Sequence, residues 1–432
     1  MKLILYKALL AVYAGVFIFS PPLSGIPFGT DKICWLLAML MAVWNRQMVF
    51  GILRVLPVRR ILSVCIFLFI VHFFVQLIHG GLSLSSIYRG DWMLLYFDLS
   101  KLLMTVPFWI SFFALAGRLG LTYEDLFHTF ALTLAFWVVS SLLLIAVPSL
   151  NDYVMRAILR FEKLDSRILR IHNRGFGFAQ GHLFSYGICL SILFSLIAWS
   201  SLYQKLYLAL YLILSPLLIV VFSFNARIAF VTFGITALIV LFDRRSLLLR
   251  FLVVAVGGAA AAVCIIQWGH LMPGGEGVRE WLSSGFRQLT GRVNPYEGNN
   301  FDSIPDMWHF PTGLNFLVGH GISLNMGSHP FTRSDIGYVT QIYYGGLFYL
   351  ITLMFSFVAL IPFRLLRKKN MQREIFVIQS VFISFCVTNF KGDTFSEVNI
   401  FKVYMIVAFM IYLHPRVCLL FRQPNQNRGG RA

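Results

Sequence analysis

Charge is what this 432-residue chain has least of: Asp, Glu, Lys and Arg together make up 12% of it, against 58% hydrophobic residues and 43 phenylalanines. A water-soluble domain of that size has too little polar surface to cover so much apolar area, which is costly to leave in water. Acidic residues are the scarcer kind, 18 against 36 basic ones, for a formal net charge of +18. In a soluble chain that excess would point to nucleic acid; here its distribution over loops matters, because basic residues beside membrane spans stay on the cytoplasmic side. No nucleic-acid partner is expected. The six cysteines, Cys34, Cys65, Cys189, Cys264, Cys386 and Cys418, show no CxxC spacing and no grouping in the long polar loops. That argues against a disulfide framework or a thiolate metal site and favours small packing residues.

Other absences narrow the chemistry. His309, His320 and His329 are spaced 11 and 9 with no HExxH, so no metal site is expected. The glycine-rich "GFGFAQG" and "GHGISLNMG" lack the lysine of a phosphate-binding loop and a preceding strand, so neither carries a nucleotide reading, and no cofactor is implied. No small-x-small cleavage pattern follows "MKLILYKALLAVYAGVFIFS", and the first apolar run reads as a retained helix.

What is abundant is apolar runs of the length that crosses a bilayer, roughly 17 to 25 residues at about 1.5 Å per residue. The expected spans are 4–20, 29–45, 58–79, 98–117, 124–147, 180–201, 205–223, 226–242, 249–268, 335–362, 371–390 and 397–415. The fold class is therefore all-α: a polytopic integral membrane protein of about twelve transmembrane helices with two long external loops. Residues 1–147 hold helices one to five, 148–179 the first long loop, and 180–268 helices six to nine. Residues 269–334 form the second loop, 335–416 the last three helices, and 417–432 a tail. The short basic loops "RRSLLLR" and "RLLRKKNMQR" place both termini in the cytoplasm.

The two external loops are basic against that bias. In the first, Arg156, Arg160, Lys163, Arg167, Arg170 and Arg174 are spaced 4, 3, 4, 3 and 4, one stripe of a helix, with Val154, Ile158, Phe161 and Ile168 on the other side. Such a helix lies along the outer membrane face, either anchoring on headgroups or drawing in an anionic substrate. The second loop, about 65 residues long, mixes Arg279, Arg287, Arg292 and Arg333 with carboxylates, tryptophans and glycines, and is expected to fold over the membrane domain.

Ionisable residues in or beside a span are site candidates by default. His72, Gln76 and His79 share one face of the third span, Asp98 and Lys101 are three apart and able to pair, and His182 opens the sixth span. Asp335 and Lys402 sit near outer helix ends. Arg227 opens the eighth, where unpaired backbone N–H groups already favour an anion; its guanidinium suits a phosphate or pyrophosphate at headgroup depth, or snorkels to lipid. His172 and His329 are alternative proton acceptors near neutral pH.

The blocks "IHNRGFGFAQGHLFSYG", "NARIAF" and "GHGISLN...SDIGYVTQIYYGGLFYLI", set in this topology, resemble the bacterial O-antigen polymerases, relatives of the lipopolysaccharide O-antigen ligases. The resemblance implies a metal-independent glycosyltransferase acting at the periplasmic face of the bacterial inner membrane. An undecaprenyl-pyrophosphate-linked oligosaccharide would be transferred to the non-reducing-end hydroxyl of a second lipid-linked repeat unit, with membrane lipids and a polysaccharide chain-length regulator as further partners. It matches Arg227 and Arg174 to the donor pyrophosphate; Arg287, Arg292, Arg333 and His320 are further substrate-binding candidates, and His329, Asp335 or His172 the candidate base. The ligases' "HNxxL" block is missing: His329 lies sixteen residues before Gly345 and Asp335 ten. A ligase acting on lipid A core and a lipid-linked-oligosaccharide flippase are the alternatives. The flippase class should show repeated halves or broken helices, and neither is expected from the sequence.

Overall fold

The computed structural model describes residues 2–24, 26, 29–79, 91–158, 183–225, 228–239, 248, 252, 255–256, 307–321, 334, 336–366, 371–415 and 420–421. Every regular element among them is helical. In chain order these are α1 (Lys2–Phe19), α2 (Thr30–Trp44), α3 (Arg46–Val55), α4 (Val58–Ile78), α5 (Asp91–Arg118), α6 (Tyr123–Ala146) and α7 (Pro148–Tyr153). Then come α8 (Leu183–Ser200), α9 (Lys205–Phe224), α10 (Ile228–Ala237), α11 (Leu314–Val318), α12 (Gly337–Val358), α13 (Phe363–Leu366), α14 (Gln372–Thr388) and α15 (Val398–Tyr412).

Among the described residues, six helices are long and apolar enough to cross a membrane, and seven if the bent pair α2 and α3 counts as one span. The chain is thus a multi-pass membrane protein. Helices occupy each expected span except 249–268, which lies largely outside the described residues. The sequence reading took 46–57 as a linker; it is helical instead, and α3 leaves α2 at 100°.

Phenylalanine fills the interior. Phe17 of α1 stacks on Phe108 of α5 with ring centroids 3.5 Å apart, and Phe113 stacks on Phe409 of α15 at 5.2 Å. Trp109 is fully buried among them and donates its indole N–H to the Lys402 carbonyl at 2.9 Å. In a bilayer the outside of the bundle is as apolar as its inside, so close packing of this kind, rather than escape from water, holds helices together. The outward-facing residues agree: Ile66, Phe74, Ile213 and Phe348 are more than half exposed.

Two ends can be told apart by their polar contacts. At one end Lys7 of α1 pairs with Asp125 at the start of α6 (2.5 Å), and Arg60 at the start of α4 reaches the Ile361 carbonyl after α12 (3.4 Å). At the other end, the C-terminal end of α1 meets the N-terminal ends of α2 and α15 around Lys402. The first long loop departs from this second end. Its described part, α7 and a π-helical turn over Val154–Ile158, buries Val154 against Leu144, the apolar side expected of it. The stripe beyond Ile158 lies outside the described residues.

Candidate functional site

Helix α12 does not run straight. Gly345 (φ −128°, ψ 16°) and Gly346 (φ 70°, ψ −169°) break it, about 12 Å along the axis from its first residue at 1.5 Å per residue. Glycine supplies the left-handed conformation at Gly346 without strain. A broken helix in a membrane must have its freed carbonyls satisfied by other protein groups. The segment after α11 does this: the backbone N–H of His320 donates to the Tyr343 carbonyl (2.7 Å) and that of Gly321 to the Tyr344 carbonyl (2.8 Å). The approach is so close that a Cβ on Gly346 would strike the Leu317 carbonyl, and one on Gly319 would lie 2.6 Å from the Gly345 nitrogen.

The two tyrosines flanking the break converge on one ion pair. Tyr344, before it, lies 2.8 Å from His72 Nδ1 and accepts from Gln76 Nε2 at 3.2 Å. Tyr349, after it, donates to Asp98 Oδ2 at 2.6 Å. His72 Nε2 is 2.9 Å from the same Asp98 Oδ2, and Lys101 Nζ is 2.5 Å from Asp98 Oδ1 and 3.0 Å from the Phe395 carbonyl. A carboxylate only accepts, so Nε2 carries the proton, and in the neutral ring Nδ1 accepts from the Tyr344 hydroxyl. His72, Gln76, Asp98, Lys101, Tyr344 and Tyr349 are all buried. Opposite charges that share every available donor can persist there, where an isolated one could not.

The network continues into the turn between α14 and α15. Gln341 Nε2 donates to Asp393 Oδ1 (2.5 Å), Asn389 Nδ2 donates to Gln341 Oε1 (3.1 Å), and the backbone N–H of Thr394 donates to Asn389 Oδ1 (3.0 Å). Burial pushes the Asp393 carboxyl up, and the charge of Asp98 adds to this, against the opposing pull of the Ser396 N–H, Lys101 and Gln341. A carboxyl raised in the folded protein contributes stability that is complete below its ordinary value of 3.8 and falls as pH rises through the raised one. Asp393's own contribution to thermal stability in detergent should therefore fall from about pH 4 upward, so Asp393→Asn should gain stability relative to wild type as pH rises; a constant difference between the two across that range would rule this out.

A second cluster stands beside the first. Lys402 Nζ is 2.9 Å from the Phe17 carbonyl, 2.8 Å from Ser20 Oγ, 3.0 Å from Asp31 Oδ2 and 3.1 Å from Asn399 Oδ1. Four oxygens satisfy the ammonium, so this is a clamp holding α1, α2 and α15 rather than an open site.

Of the residues expected from sequence to bind substrate or act as the base, His320 alone lies among those described. Its ring stacks on Tyr343 with centroids 5.4 Å apart, beside His79, whose Cβ and ring a side chain at position 321 would meet at 2.9–3.0 Å. Among the described residues His79 Nε2 is buried with no hydrogen-bond partner. Burial, and then repulsion from His79, hold the His320 imidazolium below its ordinary value of 6.5, so the ring is neutral at pH 7 and presents a lone pair. His172, Arg174, Arg227, Arg287, Arg292, His329, Arg333 and Asp335 lie outside the described residues. The expected pairing of Asp98 with Lys101 and the shared face of His72 and Gln76 are found. Tyr344, Tyr349, Gln341, Asn389, Asp393 and Asp31 were not anticipated. The described residues contain no group of three metal-binding side chains. Compared with known proteins, the chain matches no family model and no curated sequence.

Proposed function

We propose that this protein is a surface-polysaccharide polymerase of the bacterial inner membrane. It would move an undecaprenyl-pyrophosphate-linked glycan onto the non-reducing-end hydroxyl of another lipid-linked repeat unit. The observation that supports this most is the gathering of buried polar and ionic groups at one end of the bundle, under the described part of the second long loop. Pyrophosphate is already a good leaving group, so the enzyme has mainly to position two lipid-tethered substrates and stabilise departing negative charge. Buried polar groups near one end of the bundle, beside the segment 314–321, suit substrates presented at headgroup depth.

In this reading twelve spans place both termini in the cytoplasm, and the basic end carrying Arg46, Arg54, Arg59, Arg60 and Arg118 is the cytoplasmic one. The polar end is then periplasmic. Arg227 and Arg174 hold the pyrophosphate, with Arg287, Arg292 and Arg333 in support. His320, neutral at pH 7, joins His172, His329 and Asp335 as a candidate acceptor of the hydroxyl proton.

Arg227→Ala should lower long-chain glycan by about 10²–10³-fold, the usual effect of removing a donor aimed at developing charge, while leaving the protein in the membrane. Glycan of normal length on a gel would remove Arg227 from the site.

The break in α12 also favours a second reading, a flippase for lipid-linked oligosaccharide, because carriers place discontinuous helices beside their binding sites. Deletion of the gene followed by gel analysis of the surface polysaccharide separates the classes. One repeat unit on lipid A core marks a polymerase, and bare core with accumulated lipid-linked polymer marks a ligase. Bare core with single repeat units held at the cytoplasmic face marks a flippase.

A further inference from the structure

The 100° turn from α2 into α3 lays ten residues across the bundle instead of through it. A helix perpendicular to a span runs in the plane of the bilayer. One face of α3, with Ile52 buried and Met48, Val49 and Leu53 partly so, packs inward. The opposite face repeats every four residues as Arg46, Phe50 and Arg54, all exposed. Alternating cation and aromatic is what a helix shows when it sits between phosphates and acyl chains.

At the corner a guanidinium is already held in place. Arg118, the last residue of α5, has its guanidinium carbon 4.3 Å from the centre of the Trp44 ring. Its Nη1 donates at 3.0 Å both to the Trp44 carbonyl and to Asn45 Oδ1. Stacking and two hydrogen bonds fix the plane of the fork, and Nη2 and Nε are left without a protein partner among the described residues. Arg46 follows directly on the Asn45 to which Arg118 is bonded. Around the pair, Leu40 (70% exposed), Val43 (77%) and Trp44 (68%) form an outward apolar wall on the last turns of α2.

We propose that this corner binds the phosphate of an anionic phospholipid in the leaflet at the basic end of the protein. Arg118 supplies a pre-oriented fork and Arg46 a second charge, while Trp44, Val43 and Phe50 take the glycerol and upper acyl region. A soluble anion would use the two arginines but would have no use for the apolar wall, which is why the occupant is a lipid. The site depends only on the chain being a membrane protein, not on its enzymatic reading.

The test uses the full chain purified in neutral detergent, with lipid retention read by native mass spectrometry. Phosphatidylglycerol should be retained over phosphatidylcholine of the same chains, and millimolar inorganic phosphate should not displace it. Arg46→Gln, an exposed change that leaves folding intact, should weaken phosphatidylglycerol binding about five-fold, and Arg46→Gln with Arg118→Gln roughly thirty-fold, leaving phosphatidylcholine unaffected. Equal retention of the two lipids, unchanged binding in Arg46→Gln, or displacement by inorganic phosphate would each overturn the assignment.

Discussion

Asp98→Ala should destabilise the protein by about 3–5 kcal/mol, the usual cost of removing one partner from a buried ion pair. Among the described residues the alanine leaves Lys101 with the Phe395 carbonyl as its one protein acceptor, and it removes the Asp98 acceptor from both His72 Nε2 and Tyr349. Against a total stability of roughly 5–15 kcal/mol for a typical protein, that loss would show as a large fall in the thermal midpoint in detergent. Replacing both charges, Asp98→Leu with Lys101→Leu, should recover part of it, because two apolar side chains incur no desolvation of charge. An Asp98→Ala protein as stable as wild type would mean that the ion pair is not formed in the membrane.

Gly346→Ala should undock the segment from α11 to Gly321 from the break in α12. A residue with a Cβ at φ 70° and ψ −169°, a region essentially reserved for glycine, is strained by about 1–3 kcal/mol. The larger effect is steric, because the new methyl would occupy the place of the Leu317 carbonyl, and backbone cannot rotate aside as a side chain can. The segment from α11 to Gly321 must then leave the break, exposing the His320 and Gly321 amides that now bond to Tyr343 and Tyr344. Hydrogen exchange at those two amides reads this directly, with an expected acceleration of at least a hundredfold for about 3 kcal/mol of lost docking. Gly313→Ala is the control: φ is 61°, but nothing lies within 4 Å of the added atom, so strain acts there without a clash. Slow exchange at His320 and Gly321 in Gly346→Ala would show that the contact is dispensable.

Some of this site could be read from residue spacing. His72 and Gln76 are four apart and Asp98 and Lys101 three apart, so each pair shares a helix face, and an ionisable residue inside an apolar run calls for a partner. Tyr344 and Tyr349 could not be read in the same way. Five residues apart, they would point about 140° from one another on a regular helix. Only the break at Gly345 and Gly346 turns both hydroxyls toward His72 and Asp98. The sequence signal was present in the paired glycines of "YYGG", since such pairs in apolar helices mark kinks. The expectation of a continuous span over 335–362 gave that pair too little weight. Helix α3 was passed over for a different reason. Its ten residues are too few for a span, and the short apolar stripe of Met48, Val49 and Ile52 is interrupted by arginines that read as a loop. The proposal that arginines bind the donor rests on the resemblance and on charge placed near headgroups, since those arginines lie outside the described residues.

The Lys402 clamp carries a consequence for how the chain is made. Asp31 and Lys402 are 371 residues apart, so the carboxylate reaches the membrane long before its ammonium partner has been synthesised. Until α15 has been made, Asp31 is without this ammonium, and the end of α1 is without the side chain that bonds the Phe17 carbonyl and Ser20. A chain that stops short of Val398 therefore lacks the contact that ties its first hairpin to its last helix.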